Sequence, residues 1–293
     1  MIGTVHDPLA ASTIAESFGL AARRARERAN RSLARERQGQ RAFSEPGYTE
    51  NLLDEMELSI RTDLDRIDVD GLQIGATGFN FPVRAETEYG ADIGMRIDIE
   101  TPGYTVSKGL LFQCKRMYAG GDYPELRGRG EEQARSMAEI TPASFFLLFN
   151  SGSQRDLAKL AWGDSQRSAE WFWGRPWHHF EMGTAAFDLG IAVIPAAKVV
   201  GLSWGAMSFD CTGRTILSGA VPFGIFMADL VCTCFVGDTR SMVLRLVTAD
   251  RVRSPAEAEE PGTSVFDYQI RRYMHLSLVA GRPGEPRHEP SIL

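Results

Sequence analysis

One short stretch of the chain holds three residue types that can together hydrolyse a phosphodiester bond: Asp92 in GADIGMRIDIE, and Gln113 and Lys115 in GLLFQCKRM. Residues 93–99 and 109–115 read as strands, joined by a turn over 101–107 centred on Pro102 and Gly103. Side chains alternate along a strand, so Gln113 and Lys115 share one face while Leu110, Phe112 and Cys114 take the other. A hairpin would then bring a carboxylate, an amide oxygen and an ammonium together. Asp92 can offer a divalent cation a hard oxygen, the Cys114 carbonyl a second and the Gln113 amide a third. Lys115 would neutralise charge on the scissile phosphate and help orient the attacking water. The bland alternative is a strand-edge charge pair with a polar neighbour. Only Lys108, Lys115, Lys159 and Lys198 are lysines, against 28 arginines. That skew draws attention to each lysine as a compact point charge that a planar guanidinium does not always replace.

The elements that must position these residues are legible around them. After a break at residues 44–47, TENLLDEMELSIRTDLDRI spaces Leu53, Met56, Ile60, Leu64 and Ile67 by three and four, which predicts an amphipathic helix. Glu50 and Glu57 lie seven apart on that helix, and Glu88 stands just before the Gly-Ala-Asp turn; each reads either as a site residue or as solvated surface. Residues 69–88 look strand-rich. A Gly-rich loop over 120–130 leads into the helix EEQARSMAEI, where Gln133 faces either the site or solvent, and then into SFFLLF, a buried strand. Helix, three strands, helix and strand make an α/β arrangement with a sheet covered by helices.

The Gly-x-Asp turn followed by a strand ending in Gln-x-Lys resembles the PD-(D/E)XK nuclease superfamily, in its Mrr-type branch. The resemblance covers residues 49–149, with its specific part in GAD and QCKR. It implies a restriction-endonuclease-like core with a mixed sheet flanked by helices, a divalent cation (magnesium or manganese) and a DNA substrate. Asp92, Gln113 and Lys115 would be catalytic, with Asp92, Gln113 and the Cys114 carbonyl as metal ligands. Members often carry a glutamate on the helix before the first core strand, for which Glu50 is preferred here. Gln113 stands where the commoner pattern has a second acid, a substitution expected in the Mrr-type branch. By analogy the chain would serve bacterial restriction or anti-phage defence, as a homo-oligomer or with a defence-system partner protein. A catalytically silent nuclease-fold subunit and an RNA-cutting effector are the alternatives.

Composition bounds the rest. The chain has 293 residues and a net charge of −6, which excludes a globally basic nucleic-acid coat but leaves room for a local patch. Eight arginines between residues 21 and 41 face only Glu27 and Glu36. They predict a basic helical arm over residues 1–44 that either pins a neighbouring surface or contacts phosphates through Arg23, Arg24, Arg28 and Arg31, with Arg116 doing so beside the site. A nuclease domain over 45–250 would follow, then a linker, a possible strand and a loose tail over 251–293. Four scattered cysteines fit a reducing, cytoplasmic setting, and His6 and Asp7 interrupt any secretory signal. The apolar run 219–236 contains Pro222 and Asp229, which favours a buried helix or strand pair over a membrane helix. A helix near 164–173 and a strand in GIAVIPA are also expected. His178 and His179, among Trp171, Trp173 and Trp177, read as aromatic core, as do Cys232 and Cys234.

Overall fold

The alternating pattern of residues 93–116 folds as the antiparallel hairpin expected of it, longer at both ends. Strand β2 (Ile93–Thr101) pairs with β3 (Tyr104–Arg116), and Thr101 lies opposite Tyr104. The computed structural model of the chain describes residues 8–38, 49, 52, 54–55, 58, 72–80, 89–101, 104–118, 121–153, 155–157, 185–205, 212–228, 237–247 and 272–280. Around the hairpin stand β1 (Leu72–Asn80), β4 (Ser144–Phe149), β5 (Ile191–Pro195), β6 (Val221–Pro222) and β7 (Arg272–Ala280). The seven-stranded sheet has the order β1-β7-β2-β3-β4-β5-β6. β7 runs parallel to β2 and β4 parallel to β3, while the other neighbours are antiparallel. The sheet is therefore mixed, and helices on both faces make the protein α/β.

Strand alternation divides the core between the two faces. Ile93, Met95, Leu110, Phe112, Cys114, Phe145 and Leu147 bury on one. Leu111, Phe146, Leu148, Ala192 and Ile194 bury on the other. Helix α1 (Pro8–Arg37) covers the first face with Ile14, Phe18, Ala21, Ala22 and Ala25, helped by Phe223 and Phe226. The second is covered by α2 (Arg129–Ile140) through Ala134 and Met137, by α3 (Ala196–Gly205) through Val199, and by α4 (Gly213–Ser218) through Ile216 and Leu217.

Helix α1 is built into this packing and does not stand off as an arm. A Cβ on Gly19 would lie 1.9 Å from the Ala185 carbonyl oxygen, and one on Gly190 would lie 2.0 Å from that of Ala22. Backbone therefore rests on backbone, which only small residues permit. Of the arginines expected to reach phosphates, Arg23 joins Arg26 on Asp188, at 3.3 and 3.2 Å. Arg24 and Arg28 meet Glu55 at 3.2 and 2.5 Å. Asp188 and Glu55 are buried, so these arginines supply the charge that lets two carboxylates sit inside. Arg31 is exposed.

Several expectations take a narrower form. The strand-rich region 69–88 contributes β1, and the possible strand near the end of the chain is β7, lying inside the sheet. Within the apolar run, residues 221–228 are buried as a short strand and a helical turn. No helix among the described residues is long and apolar enough to cross a membrane. The expected helix near 164–173, the linker over 255–262, the tail from residue 281, His178, His179, Cys232 and Cys234 lie outside the described residues.

Candidate active site

β3 extends beyond the start of β2, and this offset creates the site. The Asp92 N–H donates to the Phe112 carbonyl at 2.8 Å, the last backbone bond of the hairpin at that end. The next amide on the same edge of β3 belongs to Cys114, and β2 offers it no carbonyl. The Asp92 side chain curls in instead, and its Oδ2 accepts the Cys114 N–H at 2.7 Å. The same Oδ2 accepts Gln113 Nε2 at 2.6 Å, while the Cys114 carbonyl faces that amide nitrogen at 3.3 Å.

Gln113 and Lys115 share the α2 face of the sheet, as alternation requires, and Cys114 points into the opposite core. Gln113 is 1% and Lys115 4% exposed. Asp92, at the strand end, is half-buried. Helix α2 closes over the turn that precedes Asp92. Gly90 has φ +70, and a Cβ there would lie 2.7 Å from the Gln133 carbonyl oxygen. A side chain at Gly90 would thus be strained twice, by its backbone conformation and by the helix. Gln133 is consequently buried at the Gly90 turn and does not face solvent.

Gln113 Oε1, Gln133 Oε1 and Ser144 Oγ are buried and have no hydrogen-bond partner among the described residues. Ser144 lies opposite Leu111, beside Gln113 on the same sheet face. Buried polar atoms in folded proteins are nearly always satisfied, so such atoms on one face mark a place that a ligand or water completes. The donor chemistry fits a hard cation. An amide's oxygen and nitrogen are nearly isosteric, and turning the Gln113 amide over exchanges Nε2 for Oε1 opposite Asp92 Oδ2 and the Cys114 carbonyl. Three oxygens so arranged repel one another unless a cation lies among them. Among the described residues no cluster of three or more His, Cys, Asp or Glu could hold a metal ion, and the oxygens seen together here are one carboxylate, one amide and one carbonyl.

Hydrogen bonds join Asp92, Gln113 and Cys114, and Lys115 is buried on the Gln113 face of β3. Glu50, Glu57 and Glu88 lie outside the described residues. Of the acids of that helix that are seen, Asp54 is exposed and Glu55 is buried against Arg24 and Arg28, engaged away from the site. Arg116 leaves the sheet next to Lys115 with its guanidinium carbon 4.5 Å from the centroid of the Tyr118 ring. Tyr118 and Glu125, which bond to each other, were not singled out by sequence; the available signal was an aromatic residue two positions after Arg116. Comparisons of the chain with protein-family models, curated proteins and solved structures find no match.

Proposed function

We propose that this chain is a metal-dependent nuclease that hydrolyses DNA phosphodiester bonds on a restriction-endonuclease-like core. The observation that carries the reading is the meeting of Asp92, Gln113 and the Cys114 carbonyl where β3 outruns β2, with Lys115 buried on the Gln113 face. The mixed sheet, with an antiparallel hairpin and β4 parallel to β3, agrees with the mixed sheet flanked by helices that the resemblance implies.

Asp92, the Gln113 amide oxygen and the Cys114 carbonyl would hold magnesium or manganese. When bound, the cation supplies positive charge at the phosphate and acidifies a water. The protein's own residues do the rest. Asp92 keeps its carboxylate fixed through the Cys114 N–H, so no reorganisation is needed as charge develops. Lys115, held nearly out of solvent, presents a point charge to the nonbridging phosphate oxygens where the dielectric is low. Helix α2, seated on Gly90, limits water behind the site. By the same resemblance the proposal extends to bacterial restriction or anti-phage defence in the cytoplasm, with a partner protein or a second copy of the chain supplying targeting.

A second reading has one observation in its favour. Asp92 already satisfies an amide that the end of β2 leaves open, a structural task that a catalytically silent nuclease fold would also need. Incubating purified protein with plasmid DNA and with RNA, in magnesium and in chelator, separates these readings. Magnesium-dependent DNA cleavage is expected. RNA cleavage alone would make the chain an RNA-cutting effector, and binding without cleavage would favour the silent subunit.

A further inference from the structure

Beyond Lys115 the chain leaves the sheet in a tied-down turn. The Met117 N–H donates to the Phe149 carbonyl at 2.8 Å, extending the β3–β4 ladder by one bond. Tyr118 N–H then donates to the Asp122 carbonyl, and Gly121, at φ +82, returns a bond to the Tyr118 carbonyl, both at 2.9 Å. The Tyr118 hydroxyl donates to Glu125 in the 3-10 turn Pro124–Leu126. Backbone and hydroxyl are both anchored, and the ring they hold carries the Arg116 guanidinium. Burial, and then the bond to Glu125, raise the Tyr118 pKa, more than Arg116 lowers it, so the hydroxyl stays protonated as a donor at neutral pH.

The Arg116 side chain also hydrogen-bonds the Tyr118 hydroxyl, so the tyrosine holds the guanidinium both over its ring and at its rim, and the five coplanar N–H donors of a guanidinium suit two oxygens of a phosphate. Stacking also removes rotamer freedom before any ligand arrives. Arg116 follows Lys115 by one residue, about 3.8 Å between Cα atoms. Alternation sends the two side chains to opposite sides of the strand end. A polyanion lying along that end of the sheet would meet one cation from each side.

We infer that Arg116 contacts a backbone phosphate next to the scissile one, and that Tyr118 and Glu125 are positioning residues that hold its guanidinium for that contact. This rests on the nuclease reading above and names the side chains that would seat the strand.

The test is a double-mutant cycle read by anisotropy of a labelled DNA duplex in chelator, over a range of salt, so that no cleavage intervenes. Arg116→Ala should flatten the slope of log affinity against log salt by about 0.9, the loss of one phosphate contact. Tyr118→Leu should weaken binding about tenfold while Arg116 is present, and have little further effect in the Arg116→Ala background. Tyr118→Phe, which keeps the ring, should bind more tightly than Tyr118→Leu. The inference is overturned if Arg116→Ala leaves the slope unchanged, or if Tyr118→Leu costs as much without Arg116 as with it. Arg116→Lys and Tyr118→Phe keep the cycle readable if a truncation unfolds the protein. Failure of the nuclease reading has its own signature, a wild-type protein that binds DNA but cleaves neither DNA nor RNA in magnesium. A wild-type protein that binds no DNA at all overturns both.

Discussion

Polar groups are buried under α1 and at the end of β3 in two sets that are organised differently. Under α1 the carboxylates are fully matched. Asp188 accepts from Arg23, Arg26 and the Gly190 N–H, and Glu55 accepts from Arg24 and Arg28. At the end of β3, Asp92 serves Gln113 and Cys114, yet the amide oxygen of Gln113 and that of Gln133 nearby accept nothing among the described residues. A closed set of buried charges is architecture, because each member makes the burial of the others tolerable. An incomplete set is where something from outside finishes the bonding. Arg23, Arg24, Arg26 and Arg28 therefore serve the fold, whereas the proposed chemistry falls to Lys115.

Variants at the end of β3 should give the largest effects, and on activity. Asp92→Ala and Lys115→Ala are each expected to lower magnesium-dependent cleavage by about 10²–10³-fold or more, with unfolding free energy within about 1 kcal/mol of wild type for Lys115→Ala and lowered by about 1–3 kcal/mol for Asp92→Ala, which removes the oxygen that accepts the Cys114 N–H. Gln113→Leu should fall close to them. Gln113→Glu should keep some activity and bind magnesium at least as tightly, since the cation gains a carboxylate. Gel assays over a magnesium titration and chemical denaturation measure both quantities.

Under α1 the pattern should invert. Asp188→Ala leaves two arginines and the Gly190 amide without their acceptor, and about 3 kcal/mol of stability should be lost, read from the denaturant midpoint. Cleavage per folded molecule should not change. Glu55→Gln keeps an acceptor but drops the charge, and with Arg24 and Arg28 partly exposed the cost should be about 1 kcal/mol.

The smallest effect lies at Asp238, whose backbone bridges Gly109 of β3. Burial pushes its carboxyl up, but the bonds from Arg240 and from Thr141 at 2.7 Å together hold it below its ordinary value. The unfolded chain therefore takes up the proton first, and the stabilisation is whole above roughly pH 4 and lost as pH falls through the lower, folded value. Asp238→Asn should make stability less dependent on acid below that pH, seen in thermal melts over a pH series.

What was legible in the sequence follows from how local the signal is. The hairpin, the faces of Gln113 and Cys114 and the buried strand at residues 144–149 rest on alternation, a Pro-Gly turn and a continuous apolar run, which neighbouring residues encode by themselves. The position of β7 between β1 and β2 was not legible, because strand order depends on pairing across about 180–210 residues that leaves no local mark. Helix α1 misled for another reason. Its arginines suggested a solvated arm, while the buried stripe containing Ala15, Gly19 and Ala22 consists of small residues with a weak hydrophobic signature. Of their partners, Asp188 is a lone acid 165 residues from Arg23, and Glu55 is one of several acids in its segment, with nothing local to pair it with an arginine.

The most direct measurement uses Asp92→Asn. This variant keeps an oxygen that can accept the Cys114 N–H, so it preserves the strand-end bond while removing the charge. Magnesium binding by calorimetry and DNA cleavage over a magnesium titration should both be lost, with a melting temperature like that of wild type. Cleavage at the wild-type rate and the wild-type magnesium midpoint would contradict the account and leave Asp92 as a cap on the end of β3.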